Sequence, residues 1–359
     1  MQLRPAPAAA LSAAAWLAAG TVHADDPPRV ESASRVAVYQ DNDRTTVWTA
    51  TTGVTGRVTD HLQVSARYLV DAVSSASVDV VSQATGRFHD TRQEVSGSVG
   101  YRDDRRSLLA TYSHSAEDDW RSHNAALSAS QDLLGHSLTL AAALGAQTNA
   151  ISRAHSIGFS RGLRAYFGNL SIDYALTARD LVEAALAVSF LEGFQSSPYR
   201  YLVVDGQAIL ENYPDRRWRE ALVLRHHHYF DPGWALRSHG RAYTDTYGVR
   251  ALTLGTEAVR ERPPFDVGIA IRGYAQTDAS FYKPQYTTVE RYMSRDKELT
   301  RFVNLFAGPS VGLTRERMGP FQTLRIDARL SAFYFRYFDF PALRERHGIF
   351  TDVGLSASF

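Results

Sequence analysis

Two stretches of the chain repeat one arrangement of a carboxylate, hydroxyls and a small residue. Asp71-Ala72-Val73-Ser74-Ser75-Ala76-Ser77 and Asp79-Val80-Val81-Ser82-Gln83-Ala84-Thr85 both read Asp-x-x-Ser-x-Ala-Ser/Thr. A hydroxyl at the end of such a segment, Ser77 or Thr85, is a candidate acceptor for a phosphoester. The competing reading is a small-residue loop after a strand, with Ser and Asp closing local turns. A second cluster is His226-His227-His228. On a strand, His226 and His228 share one face and His227 takes the other. At most two of the three can then join one metal site, and tetrahedral sites need more ligands than that. Histidines at an interface are the simpler reading, and no metal is expected. His239 falls on the face of His227, which leaves a weak two-strand site open.

The tandem spacing resembles the motif at which a periplasmic flavin transferase attaches FMN through a phosphoester to the last hydroxyl. The resemblance implies a cofactor-binding set of Asp71, Ser74, Ser77, Asp79, Ser82 and Thr85. Within it, Asp71 and Asp79 are read by the transferase, and FMN sits on Ser77 or Thr85. The motif has Gly where this chain has Ser75 and Gln83. No nucleophile elbow, phosphate loop or zinc-protease helix motif is present.

These residues must be positioned by strands. The last eight residues alternate strictly, with Val353, Leu355, Ala357 and Phe359 on one side and Asp352, Gly354, Ser356 and Ser358 on the other. A side-chain period of two is a β-strand with one oily and one polar face. A strand of this kind ending on Phe359 is how outer-membrane barrels usually close, and Phe359 is the expected membrane-targeting residue. The same period recurs along the chain. In 182–192 the apolar face is Val182, Ala184, Leu186, Val188 and Phe190; in 322–335 it is Leu324, Ile326, Ala328, Leu330, Ala332 and Tyr334. A helix would scatter these residues over every face.

Sixteen segments qualify: 34–41, 45–57, 60–72, 87–101, 107–116, 121–133, 137–147, 165–177, 182–192, 217–229, 235–244, 248–260, 266–276, 300–315, 322–335 and 347–359. Each is long enough, or nearly so, to cross a bilayer at a tilt. Every second connection is short and turn-like, such as Asp231-Pro232-Gly233 and Arg262-Pro263-Pro264. The long ones, 73–86, 148–164, 193–216, 277–299 and 336–346, all fall on the alternate positions. This asymmetry belongs to outer-membrane barrels. In hydrocarbon every backbone polar group must be paired, and a sheet achieves this only by closing on itself. The fold class predicted is all-β, a transmembrane antiparallel up-and-down β-barrel of about 16 strands, with 14 as the alternative because 34–41 is weak. Both termini would face the periplasm. The repeats at 71–85 would then lie on the outer side, so a periplasmic transferase would have to act before barrel assembly.

Residues 1–24 read as a secretory signal peptide cleaved after Ala24, with Arg4 before an apolar run and Val22 and Ala24 at the cleavage site. A short periplasmic segment, 25–33, would lead into a barrel over 34–359. The 39 Lys and Arg lose only Arg4 on cleavage, leaving 38 against 38 Asp and Glu. A chain this close to neutral lacks the basic face that nucleic-acid binding needs. There are no cysteines, which excludes a disulfide scaffold. Tyr is the commonest aromatic, as suits the girdles of a membrane barrel.

If the apolar stripes meet lipid, the other face meets the interior. Arg67, Arg219, Arg225, Arg237, Arg241, Arg272, Arg325, Asp327 and Arg329 are the expected lumen-lining residues. They make either an arginine-biased passage that favours anionic or zwitterionic solutes or a self-neutralising network in a plugged barrel. Ser113 and Ser130, with several histidines, leave an outer-membrane hydrolase as a remote alternative. No catalytic residue is assigned.

The segment Tyr68 to Arg92 resembles the signature of a bacterial family catalogued as domain of unknown function 3570. So do Gly193-Phe194-Gln195-Ser196-Ser197-Pro198-Tyr199-Arg200, Pro214-Asp215-Arg216-Arg217, and the group Gln276, Ala279, Phe281 and Tyr282. Gln195 departs from the hydrophobic residue expected there. The resemblance implies an outer-membrane barrel of Gram-negative bacteria that accompanies flavin transferase and thioredoxin-like genes. The partners expected are outer-membrane lipid, the barrel-assembly machinery acting through the C-terminal strand, and a periplasmic flavin transferase. The expected role is a non-enzymatic channel or scaffold. A redox-associated barrel carrying covalent FMN and a surface binding protein using the long loops are the alternatives.

Overall fold

The computed structural model describes residues 29–75, 88–153 and 156–359. Its strands are β1 (Val30–Asp41), β2 (Thr45–Arg57), β3 (Leu62–Ser75), β4 (Phe88–Arg102), β5 (Arg106–Ala116), β6 (Trp120–Leu133), β7 (Leu138–Arg153), β8 (Ser156–Ala175) and β9 (Asp180–Gly193), then β10 (Tyr201–Val204) and β11 (Gln207–Leu210), then β12 (Arg216–Phe230), β13 (Trp234–Asp245), β14 (Arg250–Arg262), β15 (Phe265–Gln276), β16 (Phe302–Met318), β17 (Phe321–Tyr337) and β18 (Glu345–Ser358). All but β10 and β11 form one closed antiparallel barrel of 16 strands, each paired with its neighbours in the chain. The seam between β1 and β18 runs from Glu31 opposite Ser358 to Asp41 opposite Gly348.

The wall is polar inside and oily outside. Leu144 is 70% exposed and Ile269 64%, while Asn304, Ser331, Thr253 and Asp352 are buried. In water this arrangement would leave a continuous apolar surface. Against lipid it is the stable one, because closure pairs every strand edge. Exposed Tyr101, Phe230, Trp234, Phe265 and Phe359 ring one end of the strands on the outer face. Trp48, Tyr68, Trp218 and Tyr334 lie toward the other. Two such girdles mark the levels of the lipid head groups.

All sixteen expected segments are strands, and the 14-strand alternative falls. The first is longer than anticipated and begins at Val30. The turns at one end are short: 58–61, 103–105, 134–137, 176–179, 231–233, 263–264 and 319–320. The other end carries 194–215 and 277–301.

Two expectations about the connections need correction. Residues 148–164 are not a long loop, because β7 runs to Arg153 and β8 starts at Ser156. Both strands continue past the barrel rim because Ile151, Leu163 and Leu191 bury one another, flanked by Trp120, Phe159 and Phe194. Residues 193–216 contain the β10–β11 hairpin, closed by Asp205 and Gly206 with φ of 49° and 75°. Positive φ at both central residues is the turn that Asp-Gly favours.

Candidate functional site

Strand parity places every expected lumen residue on the inner face, and the geometry shows what each one meets. Arg35 of β1 bridges Asp327 of β17 at 2.8 Å and Asp352 of β18 at 2.5 Å. Arg325 grips Asp266 with both terminal nitrogens, at 2.8 and 3.0 Å. Arg329 and Arg237 share Glu257 at 3.2 and 3.6 Å. Arg225 pairs with Glu183. Arg67 reaches Glu94 at 3.5 Å, and Arg92 reaches the same carboxylate at 2.5 Å. Much of the arginine wall is therefore neutralised across neighbouring strands. Such partly wet pairs fix geometry more than they stabilise it.

Three of the named arginines differ. Among the described residues, Arg219, Arg241 and Arg272 have no carboxylate within ion-pair distance. Arg219 has a buried Nε without a hydrogen-bond acceptor. The Arg241 guanidinium lies over the Tyr243 ring at 5.1 Å and that of Arg272 over Phe306 at 5.4 Å. Arg241 and Arg272 line a luminal cavity of about 440 Å³ together with Arg225, His239, Tyr274 and Asn304. No Asp or Glu lines it. Arg225 is taken up by Glu183, so Arg241 and Arg272 are the two guanidiniums that give this basin its positive bias.

The outer mouth is crossed by 194–215 and 277–301. Leu202 and Val204 of β10 pack on Tyr286 and Met293. Tyr247, Val249, Phe281, Tyr282 and Leu299 form a second cluster beside it, with Tyr213 against it. Arg153 of β7 donates to the Pro198 carbonyl at 2.6 Å, and the Tyr282 hydroxyl donates to the Asp339 carbonyl at 2.7 Å. Lys297 is fully buried and meets Asp43, in the β1–β2 turn, at 2.8 Å. The two segments thus pack on each other and are tied to three other parts of the rim.

A charge cluster sits inside this cap. Arg200 lies 2.7 Å from Asp296 and 3.4 Å from Glu211. Glu211 also accepts from the Tyr213 hydroxyl at 2.7 Å and from the Arg295 N–H at 2.6 Å. The two acids share one cation unequally. Burial opposes the charged form of Asp296, but Arg200 and the Glu298 N–H outweigh it and hold that carboxyl below its usual range. Burial pushes Glu211 up to about 7, against the pull of Arg200. A second acidic group, Asp90, Glu117 and Asp119, lies at the outer ends of β4 to β6. There burial and the neighbouring acids raise Glu117 to about 7.

The repeat at 71–85 is only partly within the described residues. Asp71 is built into the β3 wall facing the lumen, accepting from Thr49 Oγ1 at 2.6 Å with Arg92 at 3.8 Å. Ser74 stands opposite Thr46 and His89 in the sheet. Ser77, Asp79, Ser82 and Thr85 lie outside the described residues. Ser113 and Ser130 point inward, whereas His114 and His123 share the outer face with Tyr112. Those serines and these histidines therefore stand on opposite sides of the wall.

His227 and His239 face the lumen on adjacent strands, as the sequence implied. His226 and His228 point outward at the rim of short turns, where Asp180 of β9 joins them. Asp180, Lys297, Asp43, Arg200 and Glu211 were not legible in the sequence as site residues, since each acts through a partner on another strand or loop.

A closed barrel with an oily exterior, aromatic girdles and a charged interior defines the class: an outer-membrane-type β-barrel. Its fold is similar to that of a solved structure described as "Bacterial polysaccharide outer membrane secretin" (TM-score 0.55, 11% identity, covering 93% of this chain and 100% of that one). It is also similar to CdiB from Acinetobacter baumannii (TM-score 0.52, 10% identity), covering 92% of this chain and 60% of that one. At such identities the likeness concerns the fold alone. No curated protein matches the sequence. The chain belongs to the family described as "Protein of unknown function (DUF3570)", whose model matches residues 80–334.

Proposed function

We propose that this protein is a non-enzymatic outer-membrane passage for small anionic solutes, closed on its outer side by its own loops. One observation carries the reading: Arg241 and Arg272 face a cavity of about 440 Å³ that no carboxylate lines, in a lumen where most other arginines are neutralised. Arginines left over from such a network are available to an incoming anion, and charged side chains in a constriction set ion selectivity. A barrel of 16 strands is wide enough for an aqueous path. In this reading the leader is removed after Ala24, and the assembly machinery inserts the barrel by way of the strand ending at Phe359.

Reversal potentials across planar bilayers under a KCl gradient test the proposal. The reading predicts a small conductance that favours chloride, with selectivity reversed in an Arg241→Glu/Arg272→Glu variant. Cation selectivity in the unaltered protein would overturn it. So would silence in correctly inserted protein whose cap has been released by Lys297→Met.

A further inference from the structure

The outer wall carries a second constellation, unrelated to the lumen. Asp180 is the first residue of β9 and stands directly opposite His228 of β12. His226 is two residues along the same face, opposite Val182. His226 Nε2 and His228 Nδ1 converge on one oxygen, Asp180 Oδ1, at 3.0 and 2.6 Å. These three donor atoms lie within 4.8 Å of one another. The site adjoins the turns 176–179 and 231–233, at the level of exposed Tyr229, Phe230 and Trp234.

We propose that Asp180, His226 and His228 bind one divalent transition-metal ion of the Zn²⁺, Ni²⁺ or Cu²⁺ type at the rim of short turns, on the lipid side of the wall. Two imidazoles and one carboxylate suit borderline ions, which take nitrogen ligands readily. Ca²⁺ and Mg²⁺ prefer all-oxygen sites and fit this donor set poorly. The arrangement is rigid, because both strands are held in ladders on either side. Supporting contacts orient the ligands as metal sites require. Thr177 Oγ1 donates to Asp180 Oδ2 at 2.7 Å, and the Phe230 ring packs edge-on against His228 at 4.2 Å. The nearby Arg179 is turned aside to Asp231. Three protein ligands leave a position open to water or to a lipid phosphate.

Metal and protons compete for the same nitrogens. Without metal, a protonated imidazole and Asp180 make an ion pair; with metal, both imidazoles must be neutral. Acid therefore weakens metal binding. The charged groups around the site are Asp180, His226, His228, Arg179 and Asp231, and His227 faces the other way.

The test uses the full mature chain in detergent, without a polyhistidine tag and stripped with EDTA, titrated calorimetrically with ZnCl₂ and separately with CaCl₂. One Zn²⁺ per chain and no competing Ca²⁺ is the expected result. His226→Gln, His228→Gln and Asp180→Asn should each weaken binding on the order of tenfold or more, a loss of about 1.4 kcal/mol or greater. His227→Gln and His239→Gln should leave it unchanged. Heat-modifiable gel migration confirms that each variant is folded. Co²⁺ absorption gives an independent readout, since a chain without cysteine can show only nitrogen and oxygen ligation. No saturable binding by folded wild type, or binding that survives the His226→Gln/His228→Gln pair, would overturn the proposal. It does not depend on the lumen being a passage.

Discussion

Lys297 Nζ and Asp43 Oδ2 meet at 2.8 Å across 254 positions of sequence, and both side chains are essentially buried. The lysine belongs to a connection between β15 and β16, the aspartate to the turn between β1 and β2. Their contact draws that connection over the mouth to the far side of β16, β17 and β18. Breaking a buried ion pair by removing one partner costs about 3–5 kcal/mol. Lys297→Met should therefore loosen the cap. Proteolysis within 277–301 should quicken and bilayer conductance should rise, while Lys297→Met/Asp43→Asn recovers part of the loss.

The cap should also respond to pH. The Glu211 carboxyl titrates near 7 in the folded chain, against 4.5 for a free side chain. Between those values the folded state holds a proton that the unfolded state has released. Its contribution is full below about 4.5 and is lost as pH rises through about 7. The span corresponds to about 3 kcal/mol. Protection of 194–215 from protease should be greater at pH 5 than at pH 8, and Glu211→Gln should flatten that difference.

Gly348 lies in β18 where an added Cβ would be 2.0 Å from the Gln40 carbonyl oxygen and 2.6 Å from Phe333 Cζ. The Phe333 ring stacks on Tyr39 at 5.0 Å close by. Neither backbone nor stacked ring can yield cheaply. Gly348→Ala should destabilise the barrel by about 1–3 kcal/mol, read as a lower midpoint in urea unfolding from lipid vesicles.

Lipid contact itself is testable at Ile269, on the outer face near the middle of β15. Ile269→Arg should cost about 2–4 kcal/mol in vesicles, falling toward zero for the same change near a girdle. An exposed isoleucine facing water would tolerate the substitution with little change in the unfolding midpoint.

The barrel was legible because each strand has only one oily face, so a period of two in 182–192 or 322–335 reports the wall directly. Residues 148–164 misled because Ser152 and Arg153 interrupt the polarity pattern at the end of β7. Beyond the barrel rim the strands are held by Ile151, Leu163 and Leu191 instead. The site was harder to read. The identity of the inward arginines followed from parity, but which of them stay unpaired depends on register between strands. Nothing local separates Arg241 from Arg237, yet Glu257 reaches only the second. The histidine pair was visible, whereas Asp180 joined it only once β9 and β12 were aligned. Lys297 and Asp43 have no shared local pattern at all.

The bridge from Arg35 to Asp327 and Asp352 has a meaning for assembly. It ties the first strand to the last two, so it can form only when the two ends of the chain have met. A slip of β1 by two residues would keep the ladder and the oily stripe but carry the guanidinium away from both acids. The final stitch of the cylinder thus has a single satisfactory alignment, and a mis-stitched product would retain an orphaned cation in its wall.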